Sequence, residues 1–174
     1  MAAQVVRSVS EWSYGVKTEK SIQEAYIELI ENSQNFIYIE NQFFLSAVTE
    51  HEKVVQNKIG NAILLRISRA IQEEKSFRVF VILPEHPEGS VKDLPVKQVM
   101  YWEYQTIFGQ NSIFDTLKTA FPEQNISNYI TFHSLRNYDV LENTLLTEQI
   151  YVHAKVMIVD DCKVIIGSVI WSSS

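Results

Sequence analysis

Phe77-Arg78-Val79-Phe80-Val81-Ile82-Leu83 decides the fold: seven residues, six of them apolar and three β-branched, closed by Pro84. A run this short and this apolar reads as a strand buried on both faces, the composition found in sheets flanked by helices. Proline terminates it, having no N–H for a sheet ladder and a fixed φ.

The segments on either side alternate in type. Upstream, about Val54 to Glu74 carries Ile59, Ile63, Ile67 and Ile71 at intervals of four, one apolar stripe on an amphipathic helix. Gly60 lies inside it and costs about 1 kcal/mol relative to alanine. Before that comes Phe36-Ile37-Tyr38-Ile39, β-branched and aromatic, a second strand. It runs into Glu40-Asn41-Gln42, and strand ends in open α/β sheets are where ligands gather. Ser21 to Glu31 has Ile22, Ala25, Tyr26, Leu29 and Ile30 at helical spacing, and Ser21 with Glu24 makes a capping box, so a helix is expected to start there.

Downstream, Pro84 to Pro95 holds three prolines, Gly89 and several charges, which marks a surface loop long enough to be functional. Val96 to Phe108 reads as a helix, and Asn111 or Ser112 can cap a shorter one reaching Phe121. Tyr129–Leu135, Ile150–Lys155, Val156–Asp160 and Lys163–Gly167 are the remaining extended segments, the middle two read as one strand. The order β-α-β-α-β followed by strands implies an α/β fold, a layered α-β-α sandwich with a mixed sheet. No internal repeat or low-complexity linker interrupts it, so residues 1–174 are read as one lobe.

Composition bounds the function. With 174 residues, 46% hydrophobic and 11% aromatic, the chain is able to bury an ordinary core. A net charge of −6 argues against bulk nucleic-acid binding, which draws on clustered lysine and arginine. No nucleic-acid partner is therefore expected. Cys162 has no second cysteine to pair with, which suits a reducing compartment, and its apolar neighbourhood predicts a buried small hydrophobe. No run of about 18 apolar residues is present, nor a signal-peptide core, so any membrane contact is expected to be peripheral and the location cytoplasmic. Met1-Ala2-Ala3 running straight into strand-like residues, and Ser172-Ser173-Ser174 close behind the last motif, suggest a fragment or shortened product.

The chemistry concentrates near the C-terminus. His153-Ala154-Lys155 is followed after four residues by Asp160 and, seven further on, by Gly167-Ser168. In an extended strand residues two apart share a face, so His153 and Lys155 are expected side by side. Lysine stabilises the charge that builds on phosphate oxygens during substitution. Histidine, titrating near neutrality, attacks phosphorus or protonates a leaving alkoxide without a metal. Asp160 is an odd number of residues from His153 and falls on the opposite face, which suits it to fixing backbone or pairing with a base. If Lys163–Ile166 returns as a hairpin partner, Gly167 permits close approach and Ser168 offers a hydroxyl and an N–H to phosphate.

Three letters of H-x-K alone usually mark an exposed strand face; Asp160, the apolar spacer Val156–Val159 and the Gly167-Ser168 pair make the longer pattern specific. It resembles the signature of the phospholipase D superfamily. Ile37-Tyr38-Ile39-Glu40-Asn41-Gln42-Phe43-Phe44 is similar to the I-Y-I-E-N-Q-F-F segment of eukaryotic-type phospholipase D. Val6-Arg7-Ser8 with Trp12-Ser13 resembles the stretch before it, and Ile150–Lys155 the start of the second motif. These matches follow the order of the family's C-terminal catalytic half, leaving the first motif upstream of Met1.

The resemblance implies hydrolysis of phosphatidylcholine-like lipids to phosphatidic acid and a head-group alcohol, or transfer to another alcohol, through a phosphohistidine. His153 matches the histidine that protonates the leaving group and later activates water, Lys155 a phosphate-binding lysine, and Ser168 a phosphate-site serine. His153, Lys155 and Asp160 are thus the candidate catalytic residues. Gly167, Ser168, Glu40, Asn41 and Gln42 are the candidate substrate-binding residues. Implied partners are the phospholipid, a peripheral membrane surface, and the missing N-terminal half or a second copy of the chain. The family's Gly-Ser-x-Asn reads Gly167-Ser168-Val169-Ile170 here, replacing an amide with a hydrocarbon, and the downstream carboxylate that orients the histidine is missing. Alternatives are a homodimeric single-motif nuclease or phosphodiesterase and an inactive lipid- or protein-binding fragment.

Other candidates have plainer readings. His51 is expected to be solvated among Glu50, Glu52 and Lys53, His86 to lie in the proline-rich loop, and His133 to be structural. Tyr101, Trp102 and Tyr104 read either as a substrate-facing aromatic wall or as core, with core packing expected for at least two of them. No His or Cys spacing suits a metal, so neither metal nor cofactor is expected.

Overall fold

The computed structural model describes residues 2–48 and 55–168, the side chain of Trp12 excepted. Its centre is a five-stranded mixed sheet made of β3 (Phe36–Asn41), β4 (Arg78–Ile82), β5 (Ile130–His133), β8 (Lys155–Val159) and β9 (Lys163–Ile166), in the order β5-β4-β3-β8-β9. Strands β3, β4 and β5 are parallel, while β8 and β9 run antiparallel to β3 and to each other. A parallel pair needs a crossover, and the amphipathic α3 (Ile59–Gln72) makes it between β3 and β4; α4 (Leu94–Ile107) and α5 (Ile113–Ala120) lie between β4 and β5. Helix α2 (Ser21–Asn32) leads into β3 and packs on α3, which also meets α5. At the N-terminus β1 (Ser8–Val9) and β2 (Glu19–Lys20) form a small ribbon around the one-turn α1 (Glu11–Tyr14).

Strand alternation sets the core. Ile37, Ile39, Val79, Val81, Ile130, Met157 and Val159 point to one face and are at most 2% exposed. They meet Tyr26 and Ile30 of α2, Ile63 and Ile67 of α3, and Ile113 and Leu117 of α5. The isoleucine stripe expected at Ile59, Ile63, Ile67 and Ile71 is buried throughout. Each such side chain contributes roughly 1.5–3 kcal/mol of transfer free energy. The α/β class with a mixed sheet therefore stands.

The second face departs from expectation. The apolar run around β4 predicts cover on both sides, but the cluster of helices lies on one. Tyr38, Phe80, Ile82, Val156 and Ile158 are only half-buried, and Val164 and Ile166 are 55% and 73% exposed. Apolar composition therefore reports a face suited to burial, which the described residues only partly bury.

Several boundaries shift for local reasons. Ser21 does not cap α2: its hydroxyl donates to the Arg7 carbonyl at 2.8 Å and accepts the Arg7 N–H at 3.0 Å, tying the N-terminal ribbon to the helix instead. The capping box forms at Ser10 and Ser13 of α1. Helix α3 starts at Ile59, because Asn57 is already committed to Leu45 O and the Ser46 hydroxyl; Val54, where the helix was expected to begin, lies outside the described residues. Gly60 is explained by close approach: its N–H donates to Ser46 Oγ at 2.7 Å, and a Cβ there would come within 3.1 Å of that side chain. Helix α4 includes Pro95, whose missing N–H costs nothing in a first turn. Ser112 caps α5 through Asp115 N, as one of the two expected caps.

The extended structure before β8 differs from expectation. Leu135–Leu141 (β6) and Thr144–Ile150 (β7) pair as a separate antiparallel hairpin, turning at Glu142 and Asn143 with φ of 49° and 63°. Positive φ at both central residues belongs to the turn that favours Asn-Gly, so Glu-Asn gives a faint sequence signature. Ile150–Lys155 is not a continuous strand: β7 ends at Ile150 and β8 begins at Lys155. Cys162, expected in the core, is exposed in the β8–β9 turn.

Candidate functional site

The parallel strands end, and β8 begins, along one edge of the sheet. Asn41 of β3 stands directly opposite Lys155 of β8, and Gly167 follows β9 on the other side, its N–H donating to Lys155 O at 3.1 Å. The hairpin expected to bring Gly167-Ser168 beside the His-Lys segment therefore forms. Ser168 is exposed at this edge. Ile170 lies outside the described residues.

His153 and Lys155 meet, but not by strand alternation. His153 sits in the irregular link and is exposed, whereas Lys155 opens β8 on the core face and is 5% exposed. The lysine folds back: its ammonium donates to the His153 carbonyl at 2.8 Å and lies 3.2 Å from Nε2. With ammonium as donor, Nε2 is the acceptor and the ring proton is assigned to Nδ1. Burial pushes the Lys155 ammonium below the ordinary lysine range, since a charged form loses solvation there. An imidazole lone pair and a desolvated cation thus share one site, a combination able to hold an anionic group and move a proton.

Asp160 is elsewhere. Five residues of extended strand separate it from Lys155, roughly 17 Å, which takes it out of contact with any substrate held at His153. Although it is expected from sequence among the catalytic residues, its described contacts are with backbone. Its carboxylate accepts the N–H groups of Gln34, Asn35 and Phe36 at 2.7, 2.7 and 2.9 Å. Burial alone raises its pKa, but those three donors and the Arg66 guanidinium outweigh that and hold it below the usual carboxylate range. Arg66 binds the same turn from the other side, donating to Ser33 O and Gln34 O while stacking 3.7 Å over the Phe77 ring. The backbone-fixing role read from its odd spacing is the one it fills.

The polar end of β3 divides by parity. Glu40 faces the other side of the sheet from Lys155 and accepts the Tyr38 hydroxyl at 2.5 Å, so it is not gathered with the His-Lys pair. Burial and this carboxylate together push the Tyr38 phenol up to about 12. Asn41 is beside Lys155 and 1% exposed; its amide nitrogen donates to Phe43 O at 2.8 Å, while Oδ1 is buried and unpartnered among the described residues. Gln42 donates to the Tyr151 hydroxyl at 3.0 Å.

Sequence reasoning missed the groups that frame this edge. The Tyr151 hydroxyl also accepts Glu88 N at 3.2 Å, and its ring lies 27° from parallel with that of His153, centroids 6.5 Å apart. Gln149 takes the N–H of Glu85 at 3.0 Å and touches the His86 ring at 3.1 Å, and Arg136 pairs with Glu85. The 83–93 loop is thereby fastened to the strand leading to His153, and His86 belongs to that fastening. Glu103, also unsuspected, is pushed up to about 7 by burial, against the pull of the Phe44 N–H it accepts at 2.9 Å. Tyr101 and Tyr104 are 55% and 57% exposed, against the core packing expected for at least two of Tyr101, Trp102 and Tyr104. His133 bonds Thr131 at the end of β5, a structural contact, and His51 lies outside the described residues. Among the described residues no three His, Cys, Asp or Glu side chains cluster as metal ligands, and no helix is long and apolar enough to cross a membrane.

Known proteins resemble the chain over nearly its whole length. A family model described as Phospholipase D matches residues 3–149. The chain is 45% identical over 166 residues to Phospholipase D A of Dictyostelium discoideum, covering 95% of this chain and 13% of that protein. It is 46% identical over 172 residues to Phospholipase D1 of Homo sapiens, covering 95% of this chain and 16% of that protein. NucT from Helicobacter pylori aligns at a TM-score of 0.42 and 16% identity, over 86% of this chain and 66% of that one. The chain thus spans about one seventh of the length of these curated relatives, yet nearly all of it matches them. On the family model and these identities, the chain belongs to the phospholipase D family.

Proposed function

We propose that this chain is a single catalytic lobe supplying the second half-site of a phospholipase D-type phosphodiesterase. Its substrates are phosphatidylcholine-like phospholipids, cleaved to phosphatidic acid and a free head group or transferred to another alcohol. The nucleophilic histidine comes from the N-terminal half or a second copy of the chain, and forms the phosphohistidine. His153 protonates the departing alkoxide and then takes a proton from the water that releases phosphatidic acid. Lys155 neutralises the charge growing on the phosphate oxygens. Gly167 and Ser168 line the same edge, where a backbone N–H and a hydroxyl suit those oxygens. The chain works at a lipid surface, as a peripheral and cytoplasmic protein.

The observation that carries this reading is the 3.2 Å approach of the Lys155 ammonium to His153 Nε2 at an open sheet edge. Choline release from phosphatidylcholine vesicles, compared between the wild type and His153→Ala, each supplied with the N-terminal half-site of a phospholipase D relative, tests it, with cleavage of a nucleic-acid substrate assayed alongside. Choline release that disappears in the variant is the expected result. Equal inertness of the two chains removes the hydrolytic assignment for this polypeptide. Nucleic-acid cleavage by a particle of twice the chain mass points instead to a nuclease that pairs two copies of His153.

A further inference from the structure

An ammonium has three protons to donate, and Lys155 commits two, one to the His153 carbonyl and one toward Nε2. The third meets no acceptor among the described residues. Directly across the ladder, on the same face, Asn41 has the complementary surplus. Its Oδ1 is buried with no donor, on a residue only 1% exposed. The orientation of that amide is fixed by chemistry: turning it over would set Oδ1 against the Phe43 carbonyl, which now receives the Nδ2 proton at 2.8 Å. A spare donor and a spare acceptor thus stand on opposed residues, whose Cβ atoms in such a ladder lie about 4.5–5.5 Å apart.

We propose that Asn41 is a positioning residue for Lys155, its carboxamide oxygen taking the ammonium proton that His153 does not use. An amide oxygen repels phosphate oxygens, so this assigns Asn41 to the lysine and not to the substrate's phosphate, revising the substrate-binding role expected from sequence. The arrangement gives Lys155 two resting partners. While the imidazole is neutral, Nε2 accepts from the ammonium; once His153 carries a proton there, it no longer does. The lysine then keeps Asn41 as it turns to a phosphate oxygen. That last step rests on the phosphodiester reading, whereas the Lys155–Asn41 pairing does not.

The test follows the 13Cε resonance of Lys155 against pH in isotopically labelled protein, the signal assigned by its loss in Lys155→Arg. Asn41→Leu keeps the approximate shape and removes the acceptor, and Lys155 is expected to titrate about one pH unit lower than in the wild type, a tenfold loss of proton affinity. Asn41→Asp restores an acceptor and adds charge, so Lys155 titrates above the wild type. Both variants lose the bond to Phe43 O, so opposite shifts isolate the acceptor from that bond. An unchanged midpoint in Asn41→Leu, or shifts of one sign in both variants, overturns the proposal while leaving the choline assay untouched. Should Asn41→Leu fail to fold, Asn41→Asp decides: a Lys155 midpoint at or below wild type overturns it.

Discussion

Replacing Asp160 by asparagine probes the turn that joins α2 to β3. The substitution keeps the shape but puts an amide NH2 where Oδ2 now receives the Gln34 N–H, so two donors face each other. Oδ1 still accepts from Asn35 and Phe36, without its charge. Hydrogen bonds to charged groups contribute about 1.5–3 kcal/mol each, and because Gln34 and Asn35 are exposed, so that water can take the freed N–H, a net loss of roughly 2 kcal/mol is expected. For a chain of this size that lowers the melting temperature by about 4–8 °C.

The pH dependence gives a second, independent check. Asp160 has a folded pKa below its unfolded value, which is about 3.9. Its contribution is therefore fully present above the unfolded value and is lost as pH falls through the folded one. Denaturant melts of the wild type and Asp160→Asn from pH 7 to pH 2 are expected to keep a constant gap down to about pH 4 and to draw together only below it. Amide exchange at Gln34, Asn35 and Phe36 is expected to speed up in the variant. A difference under about 0.5 kcal/mol at pH 7, the usual range for an uninvolved surface change, or a gap that does not narrow with acid, refutes the clamp.

Three further outcomes are expected. Glu103 has the opposite sign: its folded pKa of about 7 lies above the unfolded one, so its stabilisation is present at low pH and lost as pH rises through 7. Glu103→Gln is expected to match the wild type near pH 4 and exceed it at pH 8 by about 2–3 kcal/mol; a pH-independent difference counts against it. Ser112→Ala removes the acceptor for Asp115 N and is expected to cost about 1 kcal/mol in urea melts, with no change in the midpoint as the contrary result. Converting Glu142-Asn143 to Asn-Gly relieves two side chains held at positive φ and is expected to stabilise the hairpin by about 0.5–1 kcal/mol, seen as slower amide exchange in β6 and β7; faster exchange contradicts it.

Legibility tracked the physical source of each feature. Strands β3 and β4, helices α2, α3 and α5 and the β8–β9 pair were readable, because periodic apolar residues such as Ile59, Ile63, Ile67 and Ile71 carry their burial in the sequence itself. The β6–β7 hairpin was not, since all but one of its strand residues are exposed and its Glu142-Asn143 turn lacks glycine. The neighbourhood of His153 and Lys155 was legible from spacing, but the reason was different: a lysine folded back on its own chain, not two side chains sharing a pleat. Tyr151, Gln149 and Glu103 escaped notice because their roles arise from loops and a helix converging across long sequence distances, which no local pattern records.

The far end of β8 bears on its near end. A strand that slips by one residue turns every side chain to the opposite face, which would deliver Ala154 or Val156 to the place of Lys155 and send the cation through the sheet. Asp160, gripping three consecutive amides of the α2–β3 turn, sets where β8 stops along β3 and so forbids that displacement. The carboxylate acts as a ruler: remote from the His153–Lys155 pair, it determines which residue arrives at that end of β8.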